Sequence, residues 1–331
     1  MRKLTNSLLL ILIIVGVVSV GGFAQTLTIG YIASNMGADS NVAAYEGMVD
    51  YAEREGWVVE LLDCQGDISK WSPNMMAFVS KGVDAIALCC SEKSLIEEGV
   101  AAATNAGIPV FLQDTENIGE SLINGTSNCW AMGALLGSQV IDRIRATKPG
   151  GGNVAIIGMP DLYVHRQREE MMKAIFNSPE NPDINLIAVE TCTVADWPTR
   201  PYEITRTWIT QYGDDLDAIV GTWDGIGWGV SRAILDSGMT KDNIFTMSID
   251  GSDQTYDLIR RGDPFVGVIA QNFYGWSIVV GDAIKAVVVE GKDPAEVLPA
   301  SKTVYVPYKW IDATNVPAQG EGVDFGYEGL F

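Results

Sequence analysis

Short apolar runs alternate with longer amphipathic stretches along almost the whole chain, and this alternation limits the fold more than any other feature. Short β-branched or apolar runs are typical of strands buried on both faces of a parallel sheet. In the first part of the chain the predicted strands are Leu27–Ala33, Trp57–Leu62, Asp84–Cys89 and Pro109–Gln113. Predicted helices lie between them, and several end at a glycine, where a left-handed C-cap is expected. Strands that alternate with helices imply right-handed crossovers and a parallel sheet.

The same rhythm starts again after Asn128. Further strands are predicted at 153–158, 185–191, 218–222, 244–249 and 265–270, with one more near 303–307. We therefore predict an α/β protein with two doubly wound parallel-sheet lobes joined by a hinge of three crossovers. The expected lobes are 26–127 plus 273–302, and 128–272 plus 303–331 with the C-terminal tail. The expected crossovers lie near 126–128, 271–272 and 301–303.

Residues 1–24 carry the pattern of a secretory signal peptide. Arg2 and Lys3 precede the 13-residue apolar run Leu8–Val20, and small residues follow up to Ala24. A membrane span needs roughly 20 residues, so this run is short for one, and cleavage is expected after Ala24. The mature chain would then have 331 − 24 = 307 residues and a periplasmic location. An uncleaved N-terminal anchor is the alternative.

The charge of the chain argues against nucleic acid as a partner. The formal net charge is −20, and loss of Arg2 and Lys3 with the acid-free segment 1–24 makes it −22. A surface this acidic repels phosphate backbones.

The cysteines and histidine do not fit a metal site. There are five cysteines and one histidine, and the cysteine spacing fits no zinc pattern. We expect no metal and no cofactor, and most of the cysteines should be small buried residues. A vicinal disulfide between Cys89 and Cys90 is the alternative for that pair.

Polar and aromatic residues follow the predicted strands. In open parallel sheets, ligands bind outside the carboxyl ends of the strands, at the switch point of strand order. The residues at these positions include Ser34, Asn35, Asp63, Ser91, Asp114, Asp161, Trp197, Trp223, Asp224, Asp250, Gln271 and Asn272. Carboxylates, amides and tryptophans, with one arginine nearby, indicate binding of a ligand rather than breaking of a bond.

Six segments in order resemble the type I periplasmic binding proteins, especially the ribose-binding-like sugar receptors of ABC importers. The resemblance extends from Thr26 to about Ile311. The segments are IPVFLQD at 108–114, HRQREEM at 165–171, ADW at 195–197, TWDG at 222–225, SIDGSD at 248–253 and VIAQN at 268–272.

The resemblance implies roles for individual residues. Asp114 matches an aspartate that accepts hydrogen bonds from two sugar hydroxyls, and Arg168 matches an arginine that donates to a sugar oxygen. Trp197 takes the place of an aromatic residue that stacks on the sugar. Asp250 and Gln271 match further hydroxyl-binding positions.

The chain also departs from the family pattern. Thr115 stands where an arginine often follows the aspartate, and Trp223 replaces the asparagine of an Asn-Asp pair, beside Asp224. The loop 34–41 lacks the paired phenylalanines that usually enclose a pentose, so its predicted ligand-binding residues are Asn35, Ser40 and Asn41. A sugar or polyol other than ribose is therefore the expected ligand.

Each candidate residue also has a structural explanation. Arg168 could be a surface charge, Asp250 a turn residue and Asp224 a helix cap, while Trp197 and Trp223 could be core aromatics. His165 could be a residue of the helix entry.

The resemblance implies a binding protein that closes on its ligand and delivers it to an ABC permease, with a chemoreceptor as another partner. Alternatives are a nucleoside, a signal molecule or an amino acid as the ligand, the last because Arg168 and Asp250 would supply both charges. A glycoside-processing enzyme is less favoured. The chain has no G-x-S-x-G elbow, P-loop, H-E-x-x-H or dinucleotide fingerprint, and we predict no catalytic residues.

Overall fold

The computed structural model describes residues 26–330 and places twelve strands in two six-stranded sheets. The strands are β1 Thr28–Ala33, β2 Val58–Asp63, β3 Ala85–Cys89, β4 Val110–Gln113, β5 Ile123–Thr126, β6 Gly152–Gly158, β7 Ile184–Thr191, β8 Ala218–Gly221, β9 Phe245–Asp250, β10 Phe265–Gln271, β11 Thr303–Tyr305 and β12 Tyr308–Asp312. The first sheet has the order β11-β5-β4-β3-β1-β2 and the second β12-β10-β9-β8-β6-β7. All pairs are parallel except β10 with β12. The predicted signal peptide, 1–24, lies outside the described residues.

Ten α-helices cover the two sheets in the described part of the chain. They are α1 Asp39–Glu55, α2 Trp71–Lys81, α3 Lys93–Asn105, α4 Cys129–Thr147, α5 Tyr163–Phe176, α6 Arg200–Tyr212, α7 Asp224–Asp236, α8 Asp253–Arg261, α9 Phe273–Ile284 and α10 Pro294–Val297. As expected, α1 and α2 end at Gly56 and Gly82, which adopt left-handed φ angles of 75° and 74°. None of the helices described over 26–330 is long and apolar enough to cross a membrane.

The strands are buried because their side chains pack on both faces. Every residue of β3 and β4 is buried, as is every residue of β8 and β9. These are the central strands of their sheets, and their near-continuous apolar composition agrees with a parallel sheet covered by helices on both sides. The predicted fold class, two α/β lobes with parallel sheets, is confirmed.

The chain crosses between the lobes after β5, after β10 and after β11. Asn128 and Asn272 follow the first two crossings, and each caps the helix that begins there. The side chain of Asn128 accepts a hydrogen bond from the Ala131 amide at 3.0 Å, and that of Asn272 accepts one from the Gly275 amide at 2.8 Å. A side-chain cap satisfies one of the free amides of a helix start, so these asparagines fix the start of α4 and α9 at the hinge.

The expected boundary of the second lobe at residue 303 was wrong. Strand β11 pairs in parallel with β5, with Thr303 opposite Asn124, and so belongs to the first sheet. The third crossing therefore falls between Tyr305 and Tyr308, not at 301–303. Pro307 lies at this break and lacks the N–H that a continuous strand would need.

The C-terminal tail also departs from its expected place in the second lobe. Val323 and Phe325 pack on an apolar cluster of the second lobe, whereas Tyr327 and Leu330 pack on that of the first. The amide of Leu330 donates to Asp282 Oδ2 at 2.8 Å, and Asp282 lies on α9. The tail therefore links the two lobes.

Candidate ligand-binding site

The two sheets point the carboxyl ends of their strands at a shared cleft. In the first sheet the strand order changes direction between β1 and β3, and in the second between β6 and β8. Side chains that follow these strands, together with residues of α5, line one shared cavity. This is the position where open α/β sheets bind ligands. Its lining residues are Ser34, Asn35, Ala38, Ser40, Asn41, Cys90, Asp114, Met159, Leu162, Val164, His165, Arg168, Val194, Trp197, Trp223, Asp250 and Trp276.

Arg168 of α5 lies at the centre of the polar part of the cavity. Its side chain is 1% exposed, which excludes the surface-charge explanation. Nη1 donates to Asp250 Oδ1 and to the Thr222 carbonyl oxygen, both at 3.0 Å. Nη2 lies 3.6 Å from Asp114 Oδ2, which comes from the other lobe. Nε and Nη2 are buried and have no hydrogen-bond partner among residues 26–330. Nη2 lies between the two lobes, so it is the donor best placed for a ligand oxygen.

A close approach of α4 to α5 fixes the position of Arg168. Gly133 of α4 faces the backbone of α5, and a Cβ there would lie 2.6 Å from the carbonyl oxygen of Arg168. Real Cβ atoms essentially never come this close to a backbone atom, so glycine is required for the observed packing.

Asp114 and Asp250 are the two carboxylates that face the guanidinium of Arg168. Asp114 follows β4 and accepts a hydrogen bond from Thr126 Oγ1 at 2.6 Å. Asp250 ends β9 and accepts one from Gln271 Nε2 at 2.6 Å. Burial raises the pKa of Asp114 to about 6, against the opposing effect of Arg168. Burial raises the pKa of Asp250 too. Both would be stabilised as carboxylates by a ligand that donates hydrogen bonds.

The backbone is unusual where these strands end. Cys90, Asp114 and Asp250 have φ angles of 60°, 45° and 118°, values that L-residues other than asparagine, aspartate and histidine seldom adopt. Such conformations persist where the surrounding structure holds them, and they concentrate at functional sites.

Three tryptophans form the apolar side of the second lobe. The ring centroids of Trp197 and Trp223 are 4.6 Å apart in an edge-to-face arrangement, and Trp228 lies about 6 Å from both. Trp197 and Trp223 line the cavity, whereas the indole N–H of Trp228 donates to Thr255 Oγ1. The first two therefore present aromatic surface to the cavity, and Trp228 holds them from behind.

The first lobe supplies amides and hydroxyls from the β1–α1 loop and the first turn of α1. Asn41 Oδ1 accepts hydrogen bonds from the amide of Ser34 at 3.1 Å and from its hydroxyl at 3.2 Å. Asn35 and Ser40 complete this wall. Asn35 Oδ1 accepts from the amide of Gly37 at 2.8 Å, which shapes the loop.

Eight of the ten predicted site residues line the cavity, and two do not. Asp224 lies behind Trp223 at the start of α7, where it accepts hydrogen bonds from Ser252 Oγ and Thr255 Oγ1. Burial, together with the nearby charge of Asp250, raises the pKa of Asp224 to about 8. Asp224 therefore does not line this cavity, because two hydroxyls at the start of α8 hold its carboxylate, and its contact with ligand stays a prediction.

Gln271 lies in the layer behind the cavity lining, and its Nε2 contacts Asp250. Its Oε1 is buried without a hydrogen-bond partner in the described chain. Gln271 therefore contacts a residue of the cavity lining rather than lining the cavity itself, and its direct contact with ligand stays a prediction. The role of the eight lining residues in binding stays a prediction.

Several lining residues were not predicted from the sequence. His165 lies in the first turn of α5, as expected for a residue of the helix entry, but it is also buried in the wall of the cavity, where Nδ1 is 3.1 Å from Thr222 Oγ1. Burial lowers its pKa well below the usual value. Cys90 and Trp276 complete the wall of the first lobe. The sequence carried a signal for Cys90, which directly follows β3, but none for Trp276, which lies within α9.

An ion pair joins the lobes at the mouth of the cleft. Arg166 Nη2 of the second lobe lies 3.1 Å from both carboxylate oxygens of Glu92, which precedes α3 of the first lobe. Glu92 Oε2 also accepts from the amide of Tyr163 at 3.0 Å. With the Asp114–Arg168 contact deeper in the cleft, these bonds describe two lobes in a closed arrangement.

Comparison with known proteins agrees with this fold. The family model described as "Periplasmic binding protein domain" matches residues 29–293. A xylitol-binding protein of Mycolicibacterium smegmatis is 24% identical over 265 residues, covering 77% of this chain and 71% of that protein. A ribose import binding protein of Bacillus subtilis is 26% identical over 244 residues, covering 72% and 74%. The crystal structure of an ABC transporter solute-binding protein from Agrobacterium vitis with bound allitol has a TM-score of 0.75 at 22% identity, and the match covers 88% of this chain and 97% of that one.

Proposed function

Because the chain belongs to the periplasmic binding protein family, we propose that its cleft captures a sugar or sugar alcohol and delivers it to the permease of an ABC transporter. Proteins of this family are extracytoplasmic solute-binding proteins. Relatives are named for xylitol and ribose, and a structural neighbour holds allitol, all small compounds rich in hydroxyl groups. The expected signal peptide at 1–24 fits an extracytoplasmic location and is part of the proposal.

The observation that carries the proposal is the polar group formed by Arg168, Asp114 and Asp250 across the two lobes. Among the described residues, Nε and Nη2 of Arg168 are buried without a hydrogen-bond partner, and both carboxylates lie within 4 Å of the guanidinium. Each sugar hydroxyl is both a donor and an acceptor, so one ligand can bridge such a set. Charge-assisted hydrogen bonds of this kind contribute about 1.5–3 kcal/mol each.

The aromatic side of the cavity complements the other surface of such a ligand. A sugar carries patches of C–H groups besides its hydroxyls, and Trp197 and Trp223 present faces and edges that can cover them. Aromatic packing contributes about 0.5–1.5 kcal/mol beyond simple burial. The eight predicted residues that line the cavity are polar, charged or aromatic, and this mixed character supports binding of such a ligand. No step of bond breaking is assigned to them, so the protein would bind its ligand without turning it over.

Closure of the lobes would couple binding to transport. Asp114 belongs to the first lobe and Arg168 to the second, so a ligand that contacts both favours the closed state. We infer that the hinge opens at 126–128, 271–272 and 305–308 and that the closed form is the one presented to the permease. A chemoreceptor is a second partner that could bind the same surface of the closed form.

A sugar that carries an amino group is the second candidate ligand. Two buried carboxylates face a single guanidinium, which leaves the polar part of the cavity with one negative charge when both are ionised. Buried charges are costly unless they are paired. An ammonium group on the ligand would balance this charge, whereas a neutral polyol would not.

Identification of a captured ligand tests the proposal. The purified protein is denatured, and the released small molecules are identified by mass spectrometry, followed by calorimetric titration. Matched probes are D-glucitol and D-glucamine, which differ in one hydroxyl and one ammonium, with xylitol, D-ribose, adenosine and an amino acid for comparison. A released sugar, polyol or amino sugar that binds again supports the proposal. Binding of adenosine or the amino acid alone, or turnover of a bound sugar, contradicts it.

A further inference from the structure

Two adjacent cysteines lie at the end of β3, in the wall of the cleft. Cys89 is 0% exposed, and Cys90 is 9% exposed and lines the cavity. In an extended strand the side chains of successive residues point to opposite faces. Here Cys90 has a φ of 60°, and the left-handed turn at this residue brings both side chains to the same side. Both are free cysteines in the structure, and their sulfur atoms lie 2.6 Å apart, which is closer than ordinary contact between unbonded sulfurs and longer than the S–S bond of about 2.05 Å.

We propose that Cys89 and Cys90 form a vicinal disulfide, and that the sulfur of Cys90 forms part of the wall of the ligand cavity. The disulfide itself depends on the geometry of the strand end, and its contact with ligand rests on the proposed function. Polarisable sulfur packs well against C–H groups and aromatic rings. The first lobe otherwise contributes mainly hydroxyls, amides and a carboxylate to the cavity, with Ala38 and Trp276 as its remaining apolar residues.

The other cysteines serve as internal comparisons, because each has a different environment. Cys64 Sγ accepts from Asn74 Nδ2 at 3.4 Å, and Cys192 Sγ lies 3.6 Å from the Gly158 carbonyl oxygen. Cys129 is buried at the start of α4. None of these three lines the cavity. They should remain thiols when the pair at 89–90 is oxidised.

The reaction removes two protons and two electrons from the pair. The oxidant is a protein or small-molecule disulfide, of the kind present in extracytoplasmic compartments. The Cys90 thiolate attacks that disulfide, forms a mixed disulfide and releases one thiolate of the oxidant. The Cys89 thiolate then attacks the sulfur of Cys90 and releases the second thiolate, so that the oxidant ends as two thiol groups. The neighbouring sulfur and burial raise the pKa of Cys90, so the thiolate is scarce in the folded protein. Oxidation should therefore take place during folding, before the end of β3 is buried.

A vicinal disulfide would act on the cavity rather than on global stability. It closes the smallest ring that a disulfide in one chain can close, so it constrains the unfolded chain little. Reduction should change the affinity for ligand while the melting temperature stays nearly constant. A change in affinity without a change in melting temperature would distinguish a disulfide that shapes the cavity from one that stabilises the whole fold.

Thiol counting tests the disulfide without any ligand. The mature protein is exported, purified without reductant and denatured in an excess of an alkylating reagent. We expect three labelled thiols, at Cys64, Cys129 and Cys192, a peptide containing 89–90 that is about 2 Da lighter than the dithiol form, and five labels after reduction. Five labels before reduction would overturn the proposal, because the close sulfurs would then be thiols.

Titration with xylitol and D-ribose tests the contact with ligand. For the probe that binds, we expect the reduced protein and Cys90→Ala to bind several-fold more weakly than the oxidised protein, while Cys64→Ala binds normally and remains sensitive to reduction. Equal affinity of the oxidised and reduced forms would overturn the role of the sulfurs in the wall. If three thiols are counted but neither form binds any sugar or polyol, the proposed function fails and the disulfide stands.

Discussion

Asp114 offers the sharpest separation of binding from stability, because Asp114→Asn changes its charge and little else. Asn retains the oxygen that accepts from Thr126, 2.6 Å away, and tolerates the φ of 45° better than most residues. What is lost is the negative charge that faces Arg168 and the ligand. A hydrogen bond to a charged group contributes about 1.5–3 kcal/mol, and a neutral one about 0.5–1.5 kcal/mol.

The difference for one ligand hydroxyl is therefore about 1–1.5 kcal/mol, which corresponds to roughly a tenfold loss of affinity. Stability should respond in the opposite direction. Burial raises the pKa of Asp114 to about 6, so the folded protein disfavours the ionised carboxylate at pH 7.5, and a neutral amide removes that cost. Asp114→Asn should bind about ten times more weakly and melt at the same temperature as the wild type or higher.

Calorimetric titration and thermal unfolding of the same preparations test this expectation. The ligand is the sugar or sugar alcohol released from the purified protein. Asp214→Asn, which removes a charge from an exposed position, serves as the control and should change neither quantity. Unchanged affinity in Asp114→Asn would refute the reasoning, as would a loss of affinity that parallels a loss of stability.

Four further predictions follow from the same geometry. Between pH 7.5 and 5 the affinity for a neutral polyol should fall, because Asp114 takes up a proton, and titration of Asp114→Asn should show a flatter profile. The pKa values of Asp114 and Asp224 in the folded protein, about 6 and 8, lie above the unfolded value of 3.8. The folded state therefore binds more protons than the unfolded state between pH 8 and 5. The stability of the ligand-free protein, measured by thermal unfolding, should rise as the pH falls through this range. A flat stability profile would contradict this. Trp197→Ala should weaken binding about three- to tenfold in calorimetry, since aromatic packing contributes about 0.5–1.5 kcal/mol, whereas equal affinity would remove its ring from the site. Glu92→Gln should weaken the contact with Arg166, and small-angle scattering of the ligand-free protein should then show a more open form. The affinity for ligand should fall by up to about fivefold, because partly exposed ion pairs contribute about 0.2–1 kcal/mol. Identical scattering and affinity would show that this pair does not hold the lobes closed.

The periodicity of the sequence was enough to predict two parallel-sheet lobes, because buried strands and amphipathic helices have different local patterns. Two strands were not predicted, and both depend on tertiary pairing. Strand β5, Ile123–Thr126, has only four residues, and β12, Tyr308–Asp312, is antiparallel and begins one residue after Pro307. The expected single strand near 303–307 extended across Val306 and Pro307, where the chain leaves one sheet for the other.

The candidate site was partly predictable because strand order places the ends of strands together. Asp114 directly follows a buried strand and Asp250 ends one, and this position was enough to predict that both lie at the cleft. Asp224 follows a buried strand as well, but the hydroxyls of Ser252 and Thr255 hold it in the α7–α8 contact. No local rule distinguishes these outcomes, since they depend on residues about 30 positions away. The Glu92–Arg166 contact has the same origin and could not be inferred from sequence spacing.

A crystal structure of the protein with its captured ligand would test the central claim most directly. We expect a hydroxyl-rich molecule in the closed cleft, with its oxygens within hydrogen-bond distance of Asp114 from the first lobe and of Arg168 from the second, and with a C–H face against Trp197 or Trp223. A ligand that contacts only one lobe, or that leaves Asp114 and Arg168 without a shared partner, would contradict the account.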